Sequence, residues 1–139
     1  MTTTEAHIEL TKSTLAVGQR LVEMCRVGQY QEAVQELYAD HATQIEVMDS
    51  PEGDFKRVCE GKAEILRGGE AWAENTEVHG AETGDPYPNG DEFICFMSID
   101  CTSKTGPMAG QRMEWKEMCK YRVADGKIVE AKFFYNPGC

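Results

Sequence analysis

The chain has no C-x-x-C pair, no glycine-rich phosphate loop and only three histidines in 139 residues. Nor does any apolar run approach the roughly 18 residues of a membrane-spanning helix. It is also short of base: 14 Lys and Arg stand against 24 Asp and Glu, a net charge of −10. Each shortage removes a class of function. Phosphates would be repelled, so nucleic acid and anionic membrane are not expected partners. Without a P-loop or dinucleotide fingerprint no nucleotide cofactor is expected. His7, His41 and His79 stand at no finger-like spacing to the cysteines, which argues against a zinc site. The opening MTTTEAHIEL has no basic segment followed by an apolar stretch, so no secretory signal is expected. Cys25, Cys59, Cys95, Cys101, Cys119 and Cys139 are spread through the chain. They read as reduced thiols acting as small core residues of a cytoplasmic protein. The other reading is a disulfide framework.

What is present points to one α+β domain over residues 1–139, with helices first and the strong strands last. Ile8, Leu15 and Val22 fall seven apart, widened by Leu21 and Cys25, which predicts a helix over 3–26 ended by Gly28. A second helix is predicted from Tyr30 to near Asp40, with Ala33, Val34 and Leu37 on one face. Gln44–Met48 alternates and reads as a short strand, 50–53 as a turn, and Phe55–Cys59 as a second short strand. A third helix is predicted over Gly61–Asn75, where Gly68-Gly69 marks a break or a close-packing point. Strands follow over Thr76–Thr83, Phe93–Cys101, Met113–Val123 and Ile128–Tyr135, with turn-rich loops at 85–91 and 103–110. The last two strands flank Ala124-Asp125-Gly126, a tight hairpin signal.

The run Phe93-Ile94-Cys95-Phe96-Met97 is apolar at every position, whereas a sheet covered on one side would alternate. Both faces are therefore expected to be covered, one by helices and the other by a second subunit in a two-fold dimer. Cover by a helix or loop of the same chain is the alternative.

Three motifs carry a resemblance. Tyr38-Ala39-Asp40-His41-Ala42-Thr43 looks like the "Y-A-x-x-A-T" turn of the NTF2-like superfamily, and within it of the SnoaL-like branch. Gly61 leading into the third helix and Asp125-Gly126-Lys127-Ile128 resemble that family's helix start and "DGKI" hairpin. The resemblance spans nearly the whole chain. It implies an NTF2-like (cystatin-like) cone, with three N-terminal helices on a curved, mainly antiparallel sheet, a pocket between them, and usually a dimer. The fold hosts isomerases, cyclases, dehydratases and non-catalytic modules, so function must come from the site.

Glu46 matches the position of the general base in ketosteroid-isomerase-like members. Alternation puts Gln44, Glu46 and Met48 on one face and Ile45 and Val47 on the other, and either face could point inward. On 113–123 the face with Met113, Trp115, Glu117, Cys119 and Tyr121 is the more apolar and is placed inward. Glu117 would then be a pocket-facing acid, paired or protonated. The isomerase's neutral acid aligns at or next to Cys119 instead, and its first-helix tyrosine is replaced at Leu21. Cys119 belongs to the inward wall as packing rather than nucleophile, since no histidine is placed beside it. A cyclase-type histidine would have to be His79, for which exposure on a strand is the competing reading; His41 is expected at the surface. Tyr38, Trp72, Phe93, Met97, Trp115, Phe133 and Tyr135 make an aromatic and thioether wall suited to a small hydrophobic ligand, or else they fill the cone. Two functions remain open. One is a cofactor-free, metal-free enzyme of the isomerase, cyclase or dehydratase type with Glu46 and Glu117 catalytic. The other is a ligand-binding or protein-interaction module without chemistry.

Overall fold

The computed structural model describes residues 1–137. Helices α1 (Thr3–Arg26), α2 (Tyr30–Leu37) and α3 (Lys62–Glu74) pack on a seven-stranded sheet. The strands are β1 (Tyr38–Ile45), β2 (Val58–Glu60), β3 (Thr76–Thr83), β4 (Tyr87–Asn89), β5 (Glu92–Ser103), β6 (Arg112–Ala124) and β7 (Lys127–Phe134). Their order is β2-β1-β7-β6-β5-β3, with β4 also on β5. Strands β1 and β7 run parallel and all other neighbours run antiparallel.

Helix α1 begins where Thr2 accepts a hydrogen bond from the Glu5 N–H at 3.0 Å, a side-chain N-cap. It crosses the sheet at Gly18. A Cβ there would stand 3.0 Å from both Phe93 and Pro86, so hydrogen is the side chain that this approach allows. The buried Thr14 hydroxyl donates to the Gly90 carbonyl at 2.7 Å and fixes the helix to the turn after β4. In α3 the Gly68-Gly69 pair does not break the helix. It is a packing point: Phe55 lies against Gly68, and Gln31 passes Gly69 to donate to the Leu66 carbonyl at 2.8 Å.

The second helix stops at Leu37, three residues before the expected end, and the chain passes directly into a strand at Tyr38. The Tyr38–Thr43 motif is thus not a turn. Tyr38 and Ala42 are both buried, a four-residue spacing that suits a helix and a strand equally. Pairing with β7 decides the outcome, with an irregularity between Tyr38 and Thr43 that leaves the intervening residues bulged. Glu46 lies just past β1, yet its N–H still donates to the Arg57 carbonyl at 2.7 Å. The loop read at 85–91 contains β4, three residues paired with the start of β5.

On β5, Phe93, Cys95 and Met97 face the helices and are buried, while Ile94 is 42% exposed. The apolar run therefore alternates in burial within one chain; of its outward residues Ile94 lies open and Phe96 is half-buried beside Gly84. Phe96, Met118 and Phe134 stand opposite one another across β5, β6 and β7 on that outer face. The β6–β7 hairpin turns at Asp125 and Gly126 with φ of 52° and 75°, the left-handed pair that a two-residue hairpin requires. Cys25, Cys59, Cys95, Cys101 and Cys119 are buried free thiols; Cys139 lies outside the described residues. No helix among the described residues is long and apolar enough to cross a membrane.

Candidate active site

A cavity of about 400 Å³ opens between the helices and the concave face of the sheet. It follows from the pleat. On β6 every second side chain points inward, so Trp115, Glu117 and Tyr121 share one face. On β1 and its continuation the same alternation turns Gln44, Glu46 and Met48 inward, and Val47 outward. From β7 comes Phe133 and from just past its end Tyr135, from β5 Met97, and from α3 Trp72.

The cavity thus brings together Glu46, Glu117, Tyr38, Trp72, Met97, Trp115, Phe133 and Tyr135. Two members of the wall read from the sequence lie behind it. Cys119 is fully buried one pleat below Glu117, and its thiol donates to Glu117 Oε1 at 3.6 Å. Contact with Cys95 and then burial hold that thiol far above the ordinary thiol range. Phe93 is covered by Gly18 of α1 and stacks on Tyr121, with centroids 4.8 Å apart and an interplanar angle of 16°. Tyr121 takes its place at the cavity surface. Tyr30, Val34 and Phe55 also line the space. The first two belong to the apolar stripe of α2, a signal that marks burial but does not separate core from cavity wall.

The histidines stay outside. His79 is exposed on β3 and pairs with the Thr102 hydroxyl at 2.7 Å; His7 meets Asn89 at 3.1 Å. His41 is exposed on β1. Among the described residues no group of three His, Cys, Asp or Glu side chains converges as a metal site.

The two carboxyls determine the electrostatics. Tyr135 donates its hydroxyl to Glu46 Oε1 at 3.1 Å. Its ring meets Trp115 edge-on, with centroids 5.8 Å apart, which fixes the phenol's direction. Burial pushes the Glu46 carboxyl up to about 8; the charge of Glu117 adds to this and the Tyr135 hydrogen bond opposes it. Burial likewise pushes Glu117 up to about 7, opposed by the Cys119 hydrogen bond. Two carboxyls that repel across an apolar space lose their protons in separate steps, and those steps belong to the pair. Between about pH 7 and 8 the pair holds chiefly one proton, so a carboxylic acid and a carboxylate face the same cavity. Burial first, then nearby charges, keeps the Tyr38 and Tyr135 phenols protonated. Such a set can take a proton from a bound molecule and return one to it.

Residues 12–135 match the family model of the SnoaL-like domain. A structure from Mesorhizobium loti, named as a proposed SnoaL-like polyketide cyclase, is 32% identical. It covers 86% of this chain and 97% of its own, with a TM-score of 0.77. An NTF2-like protein from Burkholderia xenovorans superimposes with a TM-score of 0.70 at 10% identity, covering 91% of each chain. A protein with a cystatin-like fold from Xanthomonas campestris does so at 0.69 and 15% identity, covering 88% of this chain and 89% of its own. These last two bear on the fold alone. No curated protein matches the chain. The fold is the NTF2-like, cystatin-like cone, and with nearly its whole length matched the chain belongs to the SnoaL-like domain family.

Proposed function

We propose that this is a cytoplasmic SnoaL-like protein that binds a small hydrophobic carbonyl compound in the cone and moves a proton on it without a cofactor. The reaction would be of the isomerase, cyclase or dehydratase type. The observation that carries the reading is the pairing of Glu46 and Glu117 in one apolar cavity with both carboxyls displaced toward neutral pH. Glu46 holds its proton more tightly than Glu117, so the reactive form is the minor arrangement of the singly protonated pair, with the proton on Glu117 and Glu46 ionised; in that form Glu46 is the stronger base. It takes a proton from the carbon beside the carbonyl. The electron pair moves onto the carbonyl oxygen, which receives a hydrogen bond from the neutral Glu117. Glu46 then returns its proton to carbon, and the enolate collapses back to the carbonyl. The Tyr135 hydroxyl orients Glu46 and offsets part of the cost of its charge.

The test is exchange of carbon-bound hydrogen for deuterium in a panel of small hydrophobic ketones, followed by NMR. The wild-type protein should promote exchange between pH 7 and 8, and Glu46→Gln should lose it while unfolding cooperatively as before. Equal exchange by the variant, or none by the wild type on any ketone, refutes the catalytic reading. The cavity would then belong to a binding module.

The open outer face supports a second proposal, a two-fold homodimer. Ile94, Met118 and Phe134 are 42%, 43% and 44% exposed there. Apolar side chains gathered on one sheet face mark a surface for association.

A further inference from the structure

The charges on the cavity wall are all of one sign. Glu46 and Glu117 lie on the sheet side, and Glu32, Asp49 and Glu52 are among the other lining residues. Among the described residues no lysine, arginine or histidine lines the space. The remaining wall is largely ring and aliphatic: Tyr30, Tyr38, Trp72, Trp115 and Phe133 present aromatic surface to whatever enters. Two independent features therefore act in the same direction. Carboxylates attract a cation and repel an anion, and they do so more strongly where burial lowers the dielectric. Aromatic faces also attract cations and offer nothing to a carboxylate or a phosphate.

We infer that the cavity selects its ligand by charge: it accepts uncharged and, most favourably, protonated-amine compounds of arylalkyl size, and it rejects carboxylates and phosphates. This rests on the reading of the cavity as a ligand site and names the substrate class for it. Substrates carried as acids or as phosphorylated carriers would meet five acidic side chains and no compensating base. A carbonyl compound bearing a protonated amino group would place its ammonium among the rings and its carbonyl beside the carboxylic acid.

Both tryptophans of the chain, Trp72 and Trp115, line the cavity, so intrinsic fluorescence reports on it with no background from elsewhere. Three probes of equal length suffice: 3-phenylpropylamine, 3-phenylpropanol and 3-phenylpropionate, titrated in 0.5 M NaCl to screen the field of the molecule as a whole. The expected order is amine, then alcohol, then carboxylate, with the amine bound on the order of tenfold or more above the carboxylate. In the double variant Glu46→Gln, Glu117→Gln the amine should lose most of its advantage over the alcohol, the rest being held by Glu32, Asp49 and Glu52. A carboxylate that binds as tightly as the amine overturns the inference. So does an amine preference unchanged in the double variant, because the two buried carboxyls are where the low dielectric makes the attraction to an ammonium strongest. If none of the three binds, the cavity reading falls as well. Failure of the ketone exchange with the charge order intact removes the catalytic proposal and leaves this inference standing.

Discussion

Replacing Tyr135 by phenylalanine removes one hydroxyl and leaves the ring against Trp115. The hydroxyl's partner is Glu46 Oε1 at 3.1 Å, and the bond favours the charged carboxylate. A hydrogen bond to a charged group is worth about 1.5–3 kcal/mol. At about 1.4 kcal/mol per unit this corresponds to one to two units of pKa. Tyr135 is partly open, so the lower end applies, and Glu46 should move up by about one unit. Glu117→Gln works with the opposite sign: it deletes the charge that adds to burial in holding Glu46 up, so Glu46 should move down. The assay is carboxyl carbon NMR of protein labelled at glutamate, titrated from pH 5 to 10, with Glu46 assigned through Glu46→Gln. Two variants at one site that shift it in opposite directions cannot be explained by general loosening, which would return the carboxyl toward its ordinary value in both. Shifts of the same sign, or none, refute the account of this site.

The same carboxyls set the pH dependence of stability. Both are raised above their unfolded values, so the folded state holds more protons than the unfolded chain between about pH 4.5 and 8. The stability these two groups contribute is fully present below that window and is lost as pH rises through it, on the order of a few kcal/mol of it between pH 6 and 9. Thermal unfolding at pH 6 and pH 9 should show a lower midpoint at the higher pH, and Glu46→Gln should reduce the difference; a rise with pH would contradict the burial described. At the outer face, Met118→Glu puts a charge among Phe96, Met118 and Phe134. Sedimentation should show the wild type as a dimer and the variant shifted to monomer with its helical signal kept. A monomeric wild type would end the dimer proposal.

Much of the fold was legible because local signals agreed with the tertiary outcome. Asp125-Gly126 demanded a left-handed turn and formed one, and the alternation on 113–123 put Trp115, Glu117 and Tyr121 on the concave side. The errors have a common origin. Tyr38 and Ala42 fit a helix or a strand, and only the parallel pairing with β7 resolves them. The face of Glu46 was ambiguous because Gln44, Glu46 and Met48 are no more apolar than Ile45 and Val47. The pocket side is the more polar of the two, which inverts the usual rule for a core. Phe93 and Cys119 read as wall for the reverse reason. Sequence marks a side chain as inward, but whether it touches cavity or neighbour depends on what packs above it, here Gly18 for Phe93.

The pairing of β1 with β7 also sets an order of events during synthesis. Strand β1 is made before every other strand of the sheet, and its parallel neighbour β7 after all of them. Until then Glu46 has neither its tyrosine nor the platform that shapes its surroundings, because residue 135 must arrive first. Contacts between such distant parts of a chain form slowly and late. Until residue 135 is made, the chain therefore lacks the platform of the cavity, and termination before that point would cost the whole site rather than a fraction of it.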